Sequence, residues 1–238
     1  MGLMSPTPLS RSQILGTELP LSHREVRGVA ISSLNGAATV EGTSGSLGND
    51  NDTRVLTTLR AWADCVLVGA GTVRAENYGG VRLSPEQRAD RLAAGQADTP
   101  PLAVITGSAD MDTTSRFFTE VSASPIIITG SKNADRVATY EAAGAEVLLL
   151  DELSVDTALT ALAERGYHRI SIEGGPSIYG HALDHGLIDY LHLSIAPVIT
   201  QIDRPLFSHP AHSTQLELDG VHHDEDGFLF TRYRLPRP

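Results

Sequence analysis

Four places in this chain set glycine beside a hydroxyl residue directly after a short apolar run. They are Gly69-Ala70-Gly71-Thr72, Thr106-Gly107-Ser108, Thr129-Gly130-Ser131 and Glu173-Gly174-Gly175-Pro176-Ser177. Glycine lets backbone approach a bulky anion and the hydroxyl adds a donor, so such turns suit the phosphates of a nucleotide. A single one serves equally well as an ordinary chain reversal; four in one chain point to a ligand. The last is the most informative. Gly174 and Gly175 remove side chains where the chain turns, Pro176 suits the first position of a helix, and the N–H groups after it point outward without intrahelical partners. That is a seat for a pyrophosphate. The usual dinucleotide fingerprint is missing, since no G-x-G-x-x-G follows the first strand.

Other chemistry-bearing residues read more plainly. His181 and His185 are four apart on an expected helix, but no H-E-x-x-H pattern accompanies them, and no metal site is expected. The run His222-His223-Asp224-Glu225-Asp226 falls at a hairpin tip, where a solvated polar turn is the simpler account. Trp62, at helical spacing, reads as core. Asp50 and Asp52 open a helix, where acidic groups cap and complement the dipole.

The elements that must position the glycine turns alternate. Residues 26–34 are β-branched and bounded by Asn35-Gly36, a strand ending in a turn. Residues 50–63 place Val55, Leu56, Leu59 and Trp62 at helical spacing behind Asn49 or Asp50 as cap. Strands are expected over 65–68, 102–105, 125–128, 146–150, 169–172 and 189–199, and helices over 133–144, 154–166 and 177–186. Residues 85–95 fit a surface helix or a loop. Residues 215–221 and 227–235 form a closing hairpin around Asp226-Gly227. The pattern predicts an α/β fold: one domain over residues 23–238, a mostly parallel central sheet with helices on both faces, and an antiparallel C-terminal edge. Residues 1–22 read as a flexible lead-in that can order against the domain or a partner.

Composition bounds the function. With 41% hydrophobic and 20% charged residues the chain is an ordinary globular protein. A net charge of −11 argues against a nucleic-acid surface, and no apolar run approaches the roughly 20 residues that span a bilayer. Cys65 is the only cysteine, so neither an intrachain disulfide nor a Cys-based zinc site can form; a cytoplasmic protein is the simplest reading.

Taken in order, the motifs resemble the reductase domain of riboflavin biosynthesis, a dihydrofolate-reductase-like fold. The family's Ser-x-Asp-Gly is matched by Ser33-Leu34-Asn35-Gly36, its Leu-Arg-Ala by Leu59-Arg60-Ala61, and its Gly-x-x-Thr-Val by Gly69 to Val73. Its Glu-Gly-Gly, Val-Asp-x-Leu and Ala-Pro are matched by Glu173-Gly174-Gly175, Ile188-Asp189-Tyr190-Leu191 and Ala196-Pro197. The resemblance implies hydride transfer from NADPH to a ribosylaminopyrimidine phosphate such as 5-amino-6-(5-phosphoribosylamino)uracil. It implies that Ala30, Thr72, Glu76, Thr106, Gly107, Ser108, Gly174, Gly175, Pro176, Ser177, Ile178 and Tyr179 hold the cofactor, with Ser108, Ser131 and Lys132 as contacts for its 2′-phosphate. Ser44, Arg60, Arg82 and Glu173 would face the substrate, the arginines pairing with phosphate and Glu173 acting at the reacting end. A homodimer built through the apolar late strands is implied as well. Departures are Asn35 for the family's Asp and Glu76-Asn77-Tyr78-Gly79-Gly80 for its Asp-Asp/Asn-Pro-x-Leu; the zinc deaminase domain that often accompanies this family cannot be built from one cysteine. A dihydrofolate or pterin reductase and a non-catalytic NADP-binding protein are the alternatives, the former because a carboxylate on the first helix, as at Asp50 or Asp52, can bind a pterin.

Overall fold

The structure is a computed structural model that describes residues 8–40, 42–207 and 211–236. Nine strands form one sheet: β1 (Glu25–Ser33), β2 (Cys65–Gly69), β3 (Leu102–Thr106), β4 (Ile126–Gly130), β5 (Glu146–Leu150), β6 (Arg169–Ile172), β7 (Tyr190–Ala196), β8 (Glu217–His223) and β9 (Leu229–Arg234). Their spatial order is β5-β4-β3-β2-β6-β1-β7-β9-β8. Pairings from β5 across to β7 are parallel, and β9 runs antiparallel to both β7 and β8. The chain lays down β2 to β5 outward on one side, then returns to insert β6 between β1 and β2. That reversal opens a crevice beyond the carboxyl ends of β1, β2, β3 and β6, the usual place for a ligand in a parallel sheet.

The helices are α1 (Arg11–Leu15), α2 (Asp50–Trp62), α3 (Ala70–Ala75), α4 (Pro85–Ala93), α5 (Arg116–Thr119), α6 (Val137–Ala142), α7 (Val155–Glu164) and α8 (Pro176–Asp184). Four starts are fixed by side-chain caps: Asn49 accepts from the Asp52 N–H, and Ser10, Ser84 and Ser154 each form a capping box. Leu67, Ile128, Leu159, Ile170 and Ile172 belong to the core on one side of the sheet; Val68, Val104, Phe117 and Tyr140 belong to the core on the other. A third cluster joins Leu59 and Trp62 of α2 to Phe228 and Phe230. Among the described residues no helix is long and apolar enough to cross a membrane.

Several expectations change. The lead-in is not loose where it is described: α1 is capped by Ser10, and Leu9, Ile14 and Leu15 are buried against α2 and the sheet. The rest of it, residues 1–7, lies outside the described residues. Residues 70–75, expected as turn, are a helix too short to show a period. The helix expected over 133–144 begins as a 3-10 turn, Ser131–Arg136, and becomes α-helical only at Val137. β7 stops at Ala196, three residues early, because Pro197 has no N–H for the ladder. The ambiguous stretch 85–95 is helical, with Pro85 in its first turn.

Candidate functional site

One cleft of about 930 Å³ fills the crevice, at the upper end of the size range for small-molecule sites. Ala30 of β1, Thr72 of α3, Thr106, Gly107 and Ser108 at the end of β3, and Gly174 to Tyr179 all line it. The first, second and fourth glycine turns therefore meet in one place. The third does not: Thr129 donates its hydroxyl to the Thr106 carbonyl at 2.7 Å and accepts from Asn133 Nδ2 at 2.7 Å, a latch between strands. Ser131 and Lys132 follow it on an exposed surface and do not line the cleft.

At the fourth turn Gly174 has φ +100°, a left-handed conformation that favours glycine, and the peptide to Gly175 is cis. The Gly174 carbonyl accepts from the Gly69 N–H at 2.9 Å, which joins the ends of β2 and β6. A Cβ on Gly175 would stand 3.0 Å from Thr72 Oγ1. Pro176 occupies the first turn of α8 and no side chain caps that end. The helix is pinned from behind by Tyr179, whose buried hydroxyl donates to the carbonyls of Val29 and Ile172. Burial pushes that phenol well above its ordinary pKa, with Glu173 adding to the effect, so it remains a donor. Bare backbone, an open helix N-terminus and the Thr72 hydroxyl thus form a cradle that fits a pyrophosphate.

The other end of the cleft carries carboxylates. Glu173 lines it with its side chain 1% exposed. Arg60 donates Nε to Oε1 at 2.7 Å and Nη2 to Oε2 at 2.6 Å, and the Tyr78 hydroxyl donates to Oε2 at 2.9 Å. The Arg60 guanidinium lies 5.5 Å from the centre of the Tyr78 ring. Burial works against charge on Arg60, but Glu173 outweighs it and holds the guanidinium above its ordinary pKa. Burial and Glu173 together push the Tyr78 phenol up. Three donors leave Glu173 with an unused lone pair on Oε1 and a fixed orientation. Glu76 sits in the same wall, its carboxylate accepting the Ser44 N–H at 2.8 Å and so tying the loop over the cleft to α3. Asp52 lines the cleft too; burial pushes its carboxyl up, opposed by the Ser194 hydroxyl.

Two expected phosphate ligands are elsewhere. Arg60 does not line the cleft, because its bidentate face is turned to Glu173. Arg82 is on the outer surface, paired with Glu120 at 2.7 Å. The arginines that do line the cleft are Arg74 and Arg204, neither singled out by the sequence. Arg204 is exposed, but its backbone is anchored: its carbonyl accepts the Ala38 N–H at 2.9 Å and Pro205 bridges to Ala37. Tyr78 stands in the loop that departs from the family pattern, and its place against Glu173 and Arg60 gives that departure a use. Asn35 has a local use: Oδ1 accepts from Ser33 Oγ at 2.8 Å and Nδ2 donates to the Thr200 carbonyl at 2.8 Å, a bond an aspartate could not make.

Of the histidines and acids set aside from metal binding, His181 lines the cleft, whereas Asp224 fastens two elements together. The rings of His181 and His185 stack at 4.0 Å, and Asp224 accepts from Asn49 and Asn51, which fastens the β8–β9 hairpin to the start of α2. Among the described residues no three His, Cys, Asp or Glu side chains converge as metal ligands.

Comparison with known proteins agrees with this geometry. The profile of the family described as RibD C-terminal domain matches residues 24–230. A 2,5-diamino-6-ribosylamino-4(3H)-pyrimidinone 5′-phosphate reductase of Methanothermobacter thermautotrophicus is 29% identical over 176 residues, 70% of this chain and 77% of that protein. A pyrimidine reductase-like protein of Corynebacterium diphtheriae superposes with a TM-score of 0.86 at 36% identity, covering 97% of this chain and all of that one. Dihydrofolate reductase of Enterococcus faecalis shares the fold at 14% identity, with a TM-score of 0.54 over 90% of this chain and 97% of that one.

Proposed function

The chain belongs to the RibD C-terminal domain family, and from that premise we propose that it is an NADPH-dependent reductase of a phosphoribosylaminopyrimidine, 5-amino-6-(5-phosphoribosylamino)uracil or a close relative. One observation carries the reading. A pyrophosphate cradle at Gly174-Gly175-Pro176 and a braced carboxylate at Glu173 are adjacent in sequence and share one cleft of about 930 Å³. When bound, the reduced nicotinamide supplies the hydride; the protein's own task is orientation and exclusion of water. Ala30, Thr72 and residues 174–179 hold the cofactor, with Thr106, Gly107 and Ser108 along its adenosine half. Glu76 acts indirectly, fixing the loop that carries Ser44 over the cleft. Glu173 offers its remaining lone pair to a pyrimidine N–H or sugar hydroxyl, held still by Arg60 and Tyr78. With Arg60 committed and Arg82 outside, Arg204 on the anchored rim is the arginine that meets the substrate's phosphate.

A pterin substrate is the second reading, favoured by Asp52, a half-buried carboxyl that could accept a pair of ring N–H groups. Oxidation of NADPH with the aminopyrimidine phosphate and with dihydrofolate, run in parallel, separates the two. Tight NADPH binding without oxidation by either would favour a non-catalytic binding protein. We also propose that the protein is a cytoplasmic homodimer joined along the β8–β9 edge.

A further inference from the structure

The reading above requires a cation for the phosphate that distinguishes NADPH from NADH, and Ser131 and Lys132 do not line the cleft. The opposite wall supplies one. Arg74, in the last turn of α3, is exposed and lines the cleft beside Gly107 and Ser108. Its Nη1 donates to the Asp110 carbonyl at 3.3 Å, which sets the guanidinium against the turn that carries Ser108. That turn is rigid. The Ala109 N–H donates to Thr106 Oγ1 at 3.2 Å, Asn133 Nδ2 donates to the Gly107 carbonyl at 3.2 Å, and the buried Tyr140 hydroxyl donates to the Ala109 carbonyl and accepts the Met111 N–H. Ser108 is left exposed at the apex. Among the described residues the Ser108 hydroxyl has no hydrogen bond and Arg74 has no ion pair, so both are unspent at the lip of the cleft.

We infer that Arg74 and Ser108 form a site for a phosphate monoester on the adenosine ribose of the cofactor, and that Arg74 sets the preference for NADPH over NADH. The inference rests on the proposed function, since it takes the cofactor's pyrophosphate to lie at Gly175. Thr72, Leu153 and Val155 line the cleft between Gly175 and the end of β3 and would hold the adenosine half, the latter two as apolar walls for its base. A phosphate monoester brings about two negative charges near neutral pH. In a chain of net charge −11 it needs a local cation, and a guanidinium with a hydroxyl beside it meets both its charge and its acceptor oxygens.

Calorimetric titration with NADPH, NADH, adenosine 2′,5′-bisphosphate and 5′-AMP tests this without relying on turnover. The wild-type protein binds NADPH at least tenfold tighter than NADH, and the bisphosphate tighter than 5′-AMP. Arg74→Ala weakens NADPH and the bisphosphate by about thirtyfold, the worth of a charge-assisted contact, and leaves NADH and 5′-AMP within about twofold. Ser108→Ala shows a smaller loss with the same selectivity, and Arg74→Lys restores part of the preference. Equal weakening of both dinucleotides, or unchanged NADPH affinity in Arg74→Ala, overturns the inference while leaving the proposed function standing. A wild-type protein that binds neither dinucleotide overturns both.

Discussion

Glu173 shows how a residue can be found in the sequence while its surroundings are not. Its place before two glycines is a local pattern. Its partners are 113 and 95 residues away, and nothing in their own neighbourhoods announces the pairing. Arg60 was expected to meet a phosphate because the resemblance places the arginine of Leu59-Arg60-Ala61 at the substrate; here its guanidinium pairs with a buried carboxylate. Arg60→Ala should therefore act on stability. It leaves Glu173 almost fully buried with only Tyr78 as donor, a loss of about 3 kcal/mol in urea denaturation. A raised KM for the phosphorylated substrate with unchanged stability would return Arg60 to the phosphate role. Gly175 was legible because its requirement is for backbone alone. Gly175→Val should fold, since its φ is −78°, yet bind NADPH at least tenfold more weakly, because the new side chain enters the cradle beside Thr72. Unaltered affinity in the folded variant, measured by titration, removes the cradle from this account.

Among the elements, those with strong periods were readable and short ones were not. The central parallel strands are buried on both faces, as is the β-branched run Ile126–Gly130, and α2 repeats its apolar residues from Val55 to Trp62. Helices α1, α3 and α5 have five, six and four residues, too few for a pattern, and tertiary contacts hold them. For α1 those contacts are specific. Arg232 Nη1 donates to the carbonyls of Gln13 and Ile14 at 2.9 and 2.8 Å, and Arg27 Nη1 to that of Leu15 at 2.7 Å. Leu15 is 1% exposed. Leu15→Ala should cost about 3 kcal/mol by chemical denaturation, as a core leucine does. A change below about 0.5 kcal/mol, the usual size at a surface position, would show that the segment is a detachable lead-in after all.

For the whole molecule, the sheet edge bears on assembly. Within one chain, α1 and α2 lie over Phe228 and Phe230, and Leu191 and Leu235 join the core that contains Leu159 and Leu162 of α7 with Ile178 and Tyr179 of α8. What stays open is β8, where Leu218 is 57% and Val221 51% exposed, with Leu229 of β9 39% exposed nearby. An exposed edge strand carrying apolar side chains is a pairing surface, and a two-fold axis would let each copy cover the other. Light scattering at micromolar concentration should give about twice the 25.3 kDa chain mass, and Leu218→Lys with Val221→Lys should return it to one chain. A wild-type mass of one chain contradicts the dimer.

The proposed function is hydride delivery inside one cleft, and isotope transfer tests it most directly. NADPH deuterated at the transferable position of the nicotinamide is incubated with the protein and 5-amino-6-(5-phosphoribosylamino)uracil, and the product is weighed by mass spectrometry. The account predicts a ribitylamino product carrying one deuterium on the former sugar carbon, formed by the wild-type protein and at much reduced rate by Gly175→Val. A recovered substrate without label, in the presence of bound NADPH, would contradict it.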